Sequence, residues 1–220
     1  MKVEIWSDVM CPFCYIGKRK FEMALEQFNQ KDKIEIIWKS FQLNPAMKTD
    51  AAKNINQYLA EIKGWSLEKA KEMNDYVSGI AQQVGLTYNL EKAIVANSFN
   101  AHRFSHLAKK HGLQNQAEET LFDAYFKNGK NTDDDETLIE LGTSLGIDST
   151  EIENTLSSNE FAEDVQKDIY EAQQIGVRGV PFFLFNNMYA ISGAQEPATF
   201  LNALTQSWNE FEKFNSISRV

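Results

Sequence analysis

Cysteine is scarce: the 220-residue chain has only two, Cys11 and Cys14, three positions apart. That excludes a cystine-stapled scaffold, and a bridge between these two closes too short a loop to stabilise the fold. Positive charge is also short, with 22 Lys and Arg against 31 Asp and Glu and a formal net charge of −9. Such a surface repels phosphate backbones and anionic lipid, so neither nucleic acid nor a membrane is an expected partner. No apolar run approaches the roughly 20 residues of a membrane-spanning helix. A secretory leader pattern is missing too, because Glu4 and Asp8 interrupt the opening stretch; the expected location is cytoplasmic. Internal repeats and low-complexity linkers are absent.

What is present suits a globular protein. Hydrophobic residues make up 43% and charged residues 24%, enough to build a core without staples or a structural metal. Lys2 to Ser7 reads as a strand, Pro12 to about Gln30 as a helix, and Ile34 to Phe41 as a second buried strand. Strand, helix and strand in that order form a βαβ unit with parallel strands. Leu43-Asn44-Pro45 reads as a loop. The middle carries almost no strand signal. Its amphipathic periods predict helices near 54–62, 66–84, 98–111, 114–126, 134–145, 149–156 and 160–174, with caps at Ser66, Thr132 and Ser149. The acids at 133–136 suit a helix N-terminus and lack the alternating spacing of a calcium loop. Strand character returns at 182–185 and 188–191, flanking Asn186-Asn187, two residues that tolerate the positive φ of a tight hairpin. Pro197 opens a last helix, to about Phe214.

The fold class is therefore α/β: β-α-β, then β-β-α, forming one mixed sheet with a large all-helical insertion. Residues 1–48 and 175–220 compose a discontinuous sheet domain, and 49–174 the insertion.

Cys11-Pro12-Phe13-Cys14 falls where the first strand gives way to the first helix. Pro12 suits the first helical position. Cys11 then faces unpaired backbone N–H groups and the positive end of the dipole, a setting that favours thiolate over thiol. Cys14 lies one turn on, with a Cα separation of roughly 5 Å, within disulfide range. An exposed Cys11 is expected to form a mixed disulfide with substrate, and a more buried Cys14 to resolve it. Neither Pro12 nor Phe13 offers the thiolate a side-chain hydrogen bond or a positive charge, which predicts a less oxidising couple than one with histidine in the gap.

The rival reading is half a zinc site. It needs four ligands, and the remaining candidates, His102, His106 and His111, lie in the helical block without a second cysteine pair; no metal is expected. The second signal is Gly179-Val180-Pro181-Phe182. A proline directly before a buried strand fits either a cis Val180–Pro181 bond, with the Val180 backbone left to pair with an incoming peptide, or an ordinary trans proline on an edge strand.

These motifs resemble the DsbA-like branch of the thioredoxin superfamily, and most of all its FrnE-like subfamily. The resemblance is carried by Ser7-Asp8, Cys11-Pro12-Phe13-Cys14-Tyr15-Ile16-Gly17, Leu43-Asn44-Pro45, Ala101-His102-Arg103, Leu121 to Phe126, Gly179-Val180-Pro181 and Ser192-Gly193-Ala194-Gln195. It implies a thioredoxin-like fold and a protein disulfide oxidoreductase or isomerase. Cys11 would be the nucleophile, Cys14 the resolving thiol, Cys11–Cys14 the redox disulfide, and Pro181 a cis proline packed against the pair. Pro12, Phe13 and Val180 would line the substrate groove. The resemblance also brings His102 and Arg103 of the insertion towards the site, with Asp8 a further neighbour. Phe13 stands where the subfamily commonly has tryptophan. No cofactor is implied beyond a thiol or disulfide redox partner, and glutathione is one candidate. Protein or small-thiol disulfides are the implied substrates. Two alternatives stay open: a glutathione-dependent isomerase or transferase of the 2-hydroxychromene-2-carboxylate isomerase or kappa class, where serine usually replaces the first cysteine, and a non-catalytic peptide-binding module.

Overall fold

The computed structural model describes residues 1–217, so the end of the expected 175–220 segment lies outside the described residues. Its scaffold is a four-stranded mixed sheet in the order β2-β1-β5-β6. Strand β1 (Lys2–Ser7) runs parallel to β2 (Glu35–Ser40), with Lys2 opposite Glu35 and Ser7 opposite Ser40. Helix α1 (Pro12–Glu26) makes the crossover that parallel pairing requires. On its other edge β1 pairs antiparallel with β5 (Phe182–Phe185), which turns through Asn186 and Asn187 into β6 (Tyr189–Ser192). Both asparagines hold positive φ, 49° and 57°, as the tight hairpin demands.

The period of two along the strands sorts side chains between the faces. Val3, Ile5, Phe183 and Phe185 join the main core, where Phe21 of α1 and Phe200 of α9 (Pro197–Ile217) meet them ring against ring. Trp6, Phe182 and Leu184 face the opposite side. There α8 (Ala162–Gln174) supplies Ala172, and the Trp6 indole N–H donates to the Asp168 carbonyl at 2.9 Å.

The chain between β2 and β5 is mainly helical: α2 (Ile55–Lys63), α3 (Leu67–Gln83), α4 (Phe99–Lys110), α5 (Gln114–Phe122), α6 (Asp135–Ser144), α7 (Ser149–Ser157) and α8. It is not free of strand. β3 (Asp50–Asn54) and β4 (Ile94–Val95) form a short antiparallel ladder. Asp-Ala-Ala-Lys-Asn carries no alternating apolar signal; the pairing comes from tertiary closure, continued by the Ile55 N–H to the Ala93 carbonyl at 2.9 Å. Past Phe122 the helix widens into a π turn over Asp123–Lys127, which presents Tyr125 and Phe126 towards α1 and α2.

Two predicted caps shift by one or two residues. Asp134, not Thr132, accepts the Thr137 N–H at 2.9 Å, and Thr132 is fully buried instead. Asp148, not Ser149, accepts from Thr150 and Glu151. In both cases a nearby carboxylate, two positions after Thr132 and one before Ser149, takes the orphan N–H groups in place of the hydroxyl. Ser66 does cap α3, through the Lys69 N–H. No helix among the described residues is long and apolar enough to cross a membrane.

Candidate active site

Cys11 is the N-cap of α1, in extended backbone geometry, with Pro12 at the first helical position and no acidic side chain in the first turn. Its carbonyl accepts the Cys14 N–H at 2.9 Å, and its own N–H donates to the Asp8 carbonyl at 2.9 Å. The backbone before the helix is thus tied into a turn that fixes where the sulfur points. Both cysteines are free thiols.

The sequence predicted an exposed Cys11. The structure corrects this: Cys11 is 5% exposed and Cys14 1%. The inserted helices α2 and α3 stand over the end of the sheet where α1 begins and wall the cleft that Cys11 lines. Cys11 reaches an apolar cleft of about 430 Å³ walled by the α1 start, the loop after β2, α2, α3 and the π turn. On its other side Sγ lies 3.5 Å from the Val180 carbonyl oxygen. The Val180–Pro181 peptide bond is cis.

Burial pushes the Cys14 thiol well up, reinforced by its hydrogen bond to Cys11 and the Cys11 charge, while the Asp8 backbone and the Ser7 hydroxyl oppose the rise. Ser7 Oγ makes no hydrogen bond of normal geometry, so its proximity to Cys14 is a weak polarising contact. Burial thus keeps the inner thiol protonated.

Of the other predicted site residues, Pro12 and Phe13 line the cleft, Phe13 at its mouth and 39% exposed. Val180 and Pro181 stand apart from the cleft lining, across Cys11. Pro181 packs over Gly17, where an added Cβ would stand 2.8 Å from Pro181 Cγ. Gly17→Ala is expected to displace Pro181, costing about 1–3 kcal/mol by overpacking. Chemical denaturation checks this; an unchanged midpoint would refute the contact's importance.

Asp8 is buried, and its carboxylate accepts the Leu43 N–H at 2.7 Å and the Met10 N–H at 3.3 Å. It fastens the end of β1 to the loop after β2. His102 Nε2 is 2.8 Å from the Phe41 carbonyl and 3.9 Å from Asp8 Oδ1. Burial lowers its pKa, with Asp8 opposing, so the ring is a neutral donor beneath the site. Arg103 is a correction. Its guanidinium turns away to the end of α7, donating to the Thr155, Leu156, Ser158 and Glu160 carbonyls. Neighbours in sequence on a helix point about 100° apart, so His102 and Arg103 cannot both face the site.

His106 is held by Asp168 and Ser40, both at 3.1 Å, and His111 by Glu151 at 2.9 Å. Among the described residues no three His, Cys, Asp or Glu groups converge on a metal position.

Sequence reasoning missed Tyr88 and the cleft's roof. The Tyr88 hydroxyl donates to the Pro12 carbonyl at 2.7 Å, and its ring stacks on Phe126 with centroids 4.7 Å apart. The roof had a legible signal. Ile55, Tyr58, Leu59 and Ile62 form an i, i+3, i+4, i+7 stripe on α2, and Ile62 stays 52% exposed.

Comparison with known proteins follows the same outline. The chain is 24% identical over 213 residues to the uncharacterized protein YwbO of Bacillus subtilis, covering 92% of this chain and 95% of that one. Its structure resembles a probable DsbA oxidoreductase of Streptomyces coelicolor at 37% identity and TM-score 0.90, covering 96% and 91% of the two chains. It shares its fold with the cytosolic disulfide reductase DsbM of Pseudomonas aeruginosa, solved with glutathione, at 14% identity and TM-score 0.64, over 98% and 100% of the chains. With residues 2–205 matching its model, this chain belongs to the DSBA-like thioredoxin domain family.

Proposed function

We propose that this protein is a thiol–disulfide oxidoreductase in which Cys11 attacks and Cys14 resolves. The observation that carries the reading is the pairing of a helix-capping cysteine, open to a cleft, with a second cysteine one turn deeper and sealed from solvent. Cys11 stands at the N-terminus of α1, where the positive end of the helix dipole favours negative charge on its Sγ. Attack on a substrate disulfide forms a mixed disulfide, and Cys14 then displaces the second substrate thiolate to close Cys11–Cys14.

The reading extends to protein or small-thiol disulfides as substrates and to a discontinuous division, 1–48 with 175–220 against 49–174. It also extends to a cytoplasmic location, where the glutathione pool keeps such pairs reduced and favours reductase or isomerase work. Both cysteines lie at the site, which leaves none as a structural staple and supports that location.

Equilibration in glutathione redox buffers, acid quenching and mass analysis test it. A cooperative two-electron conversion of the dithiol to an intramolecular disulfide is expected. Two thiols that glutathionylate independently would overturn the reading. In the reduced protein, iodoacetamide near neutral pH is expected to label Cys11 well before Cys14, because burial holds the inner sulfur as thiol.

A further inference from the structure

The cleft's volume of about 430 Å³ falls within the roughly 300–1,000 Å³ of small-molecule sites, and several separate segments of chain wall it. Apart from the Cys11 thiol and tyrosine hydroxyls, Lys63 is the one ionisable side chain among its lining residues. Its polar side chains are mutually occupied. Asn44 donates to the Tyr58 hydroxyl at 2.8 Å, and Asn74 to Asn56 at 2.6 Å. A carboxylate entering there would lose its hydration and find a single cation at the end of α2. The net charge of −9 adds long-range repulsion of anions. Arg178, exposed in the loop before Val180, is not among the lining residues.

We propose that the cleft takes compact, uncharged apolar disulfides, aromatic or branched-aliphatic, in preference to anionic peptide disulfides such as glutathione disulfide. The inference rests on Cys11 being the attacking sulfur. Cys11 thiolate attacks one substrate sulfur, the substrate S–S bond breaks, and the departing thiolate leaves to take a proton from water. Cys14 then attacks Cys11 Sγ, the mixed S–S bond breaks, and the Cys14 proton passes through water to the departing second thiolate. Two electrons pass to the substrate as Cys11–Cys14 forms, and an external dithiol, dithiothreitol in the laboratory, returns them.

The attack step is isolated in Cys14→Ser protein, mixed by stopped flow with dithiodipyridine, dithiobis(nitrobenzoate), glutathione disulfide and hydroxyethyl disulfide. Each rate is divided by that of the same disulfide with free N-acetylcysteine amide, which removes intrinsic reactivity. About 0.5 M salt shortens the Debye length to a few Å, which leaves the cleft rather than the distant field to discriminate. The normalised rate for uncharged dithiodipyridine is expected to exceed those of both anionic disulfides by about tenfold. Ile62→Asp alters a side chain that is 52% exposed, so the fold tolerates it. It is expected to cut the ratio of dithiodipyridine to hydroxyethyl disulfide severalfold. Equal normalised rates, or a ratio unmoved by Ile62→Asp, would overturn the proposal while leaving the dithiol chemistry intact. Failure of every disulfide to oxidise Cys11 would instead remove the oxidoreductase reading.

Discussion

Cys11→Ser is expected to bring disulfide exchange down to the uncatalysed level, a loss of about a thousandfold or more. The reason is chemical rather than structural. The nucleophile in exchange is a thiolate, and a serine hydroxyl at the same N-cap remains protonated under conditions where a thiol ionises. Serine is also a good N-cap residue, so the fold should survive and the loss can be assigned to chemistry. Cys14→Ser is expected to behave differently. It keeps the first attack and stalls as a covalent adduct, because the sulfur that would release the substrate is gone. Intact-protein mass after exposure to a model disulfide separates the two variants. An adduct on Cys14→Ser and none on Cys11→Ser is expected. The reverse pattern would exchange the roles of the two cysteines, and equal adducts on both would deny them distinct roles.

How far this site was legible depends on how local each determinant is. The turn at Cys11 is set by Pro12 and the helix it starts, within four residues, and the sequence showed it directly. The Asn186-Asn187 hairpin is equally local. The burial of Cys11 is not, because its roof comes from α2 and α3, more than 40 residues away, and nothing near Cys11 signals their approach. The π turn at Asp123–Lys127 and the β3–β4 ladder were hidden for the same reason: their residues pair through tertiary closure, against a weak local pattern. Arg103 shows the limit of carrying a neighbourhood along a helix. Its neighbour His102 lies under the site at Asp8, while Arg103 clamps four carbonyls around the end of α7. Phe13 lies at the cleft mouth, where its ring is partly exposed.

Glu118→Gln is expected to make the protein more stable at alkaline pH, against the usual consequence of removing a buried charge. Glu118 lies on α5, 2% exposed. One oxygen accepts from the Ser105 hydroxyl at 2.6 Å, and Oε2 is buried without a hydrogen-bond partner. Burial pushes its pKa up from 4.5 to about 7, more than Ser105, Lys18 and His106 lower it, with Asp8 adding to the rise. The sign follows from linkage. Below pH 4.5 the carboxyl is protonated folded and unfolded alike and contributes no pH dependence. Between 4.5 and about 7 the unfolded chain releases the proton while the folded one retains it, so stability falls. Above about 7 the full penalty applies, about 3 kcal/mol as an upper figure for that shift. Glutamine keeps an acceptor for Ser105 and cannot ionise. Chemical denaturation across pH is therefore expected to show wild type and variant converging near pH 4 and the variant about 2–3 kcal/mol more stable near pH 8.5. Parallel curves would mean that Lys18 and His106 already neutralise the ionised carboxylate. Lys18, one turn beyond Cys14 on α1, is already paired with Glu22 and Glu119, so the outcome also decides whether the layer beside α1 changes its charge near neutral pH.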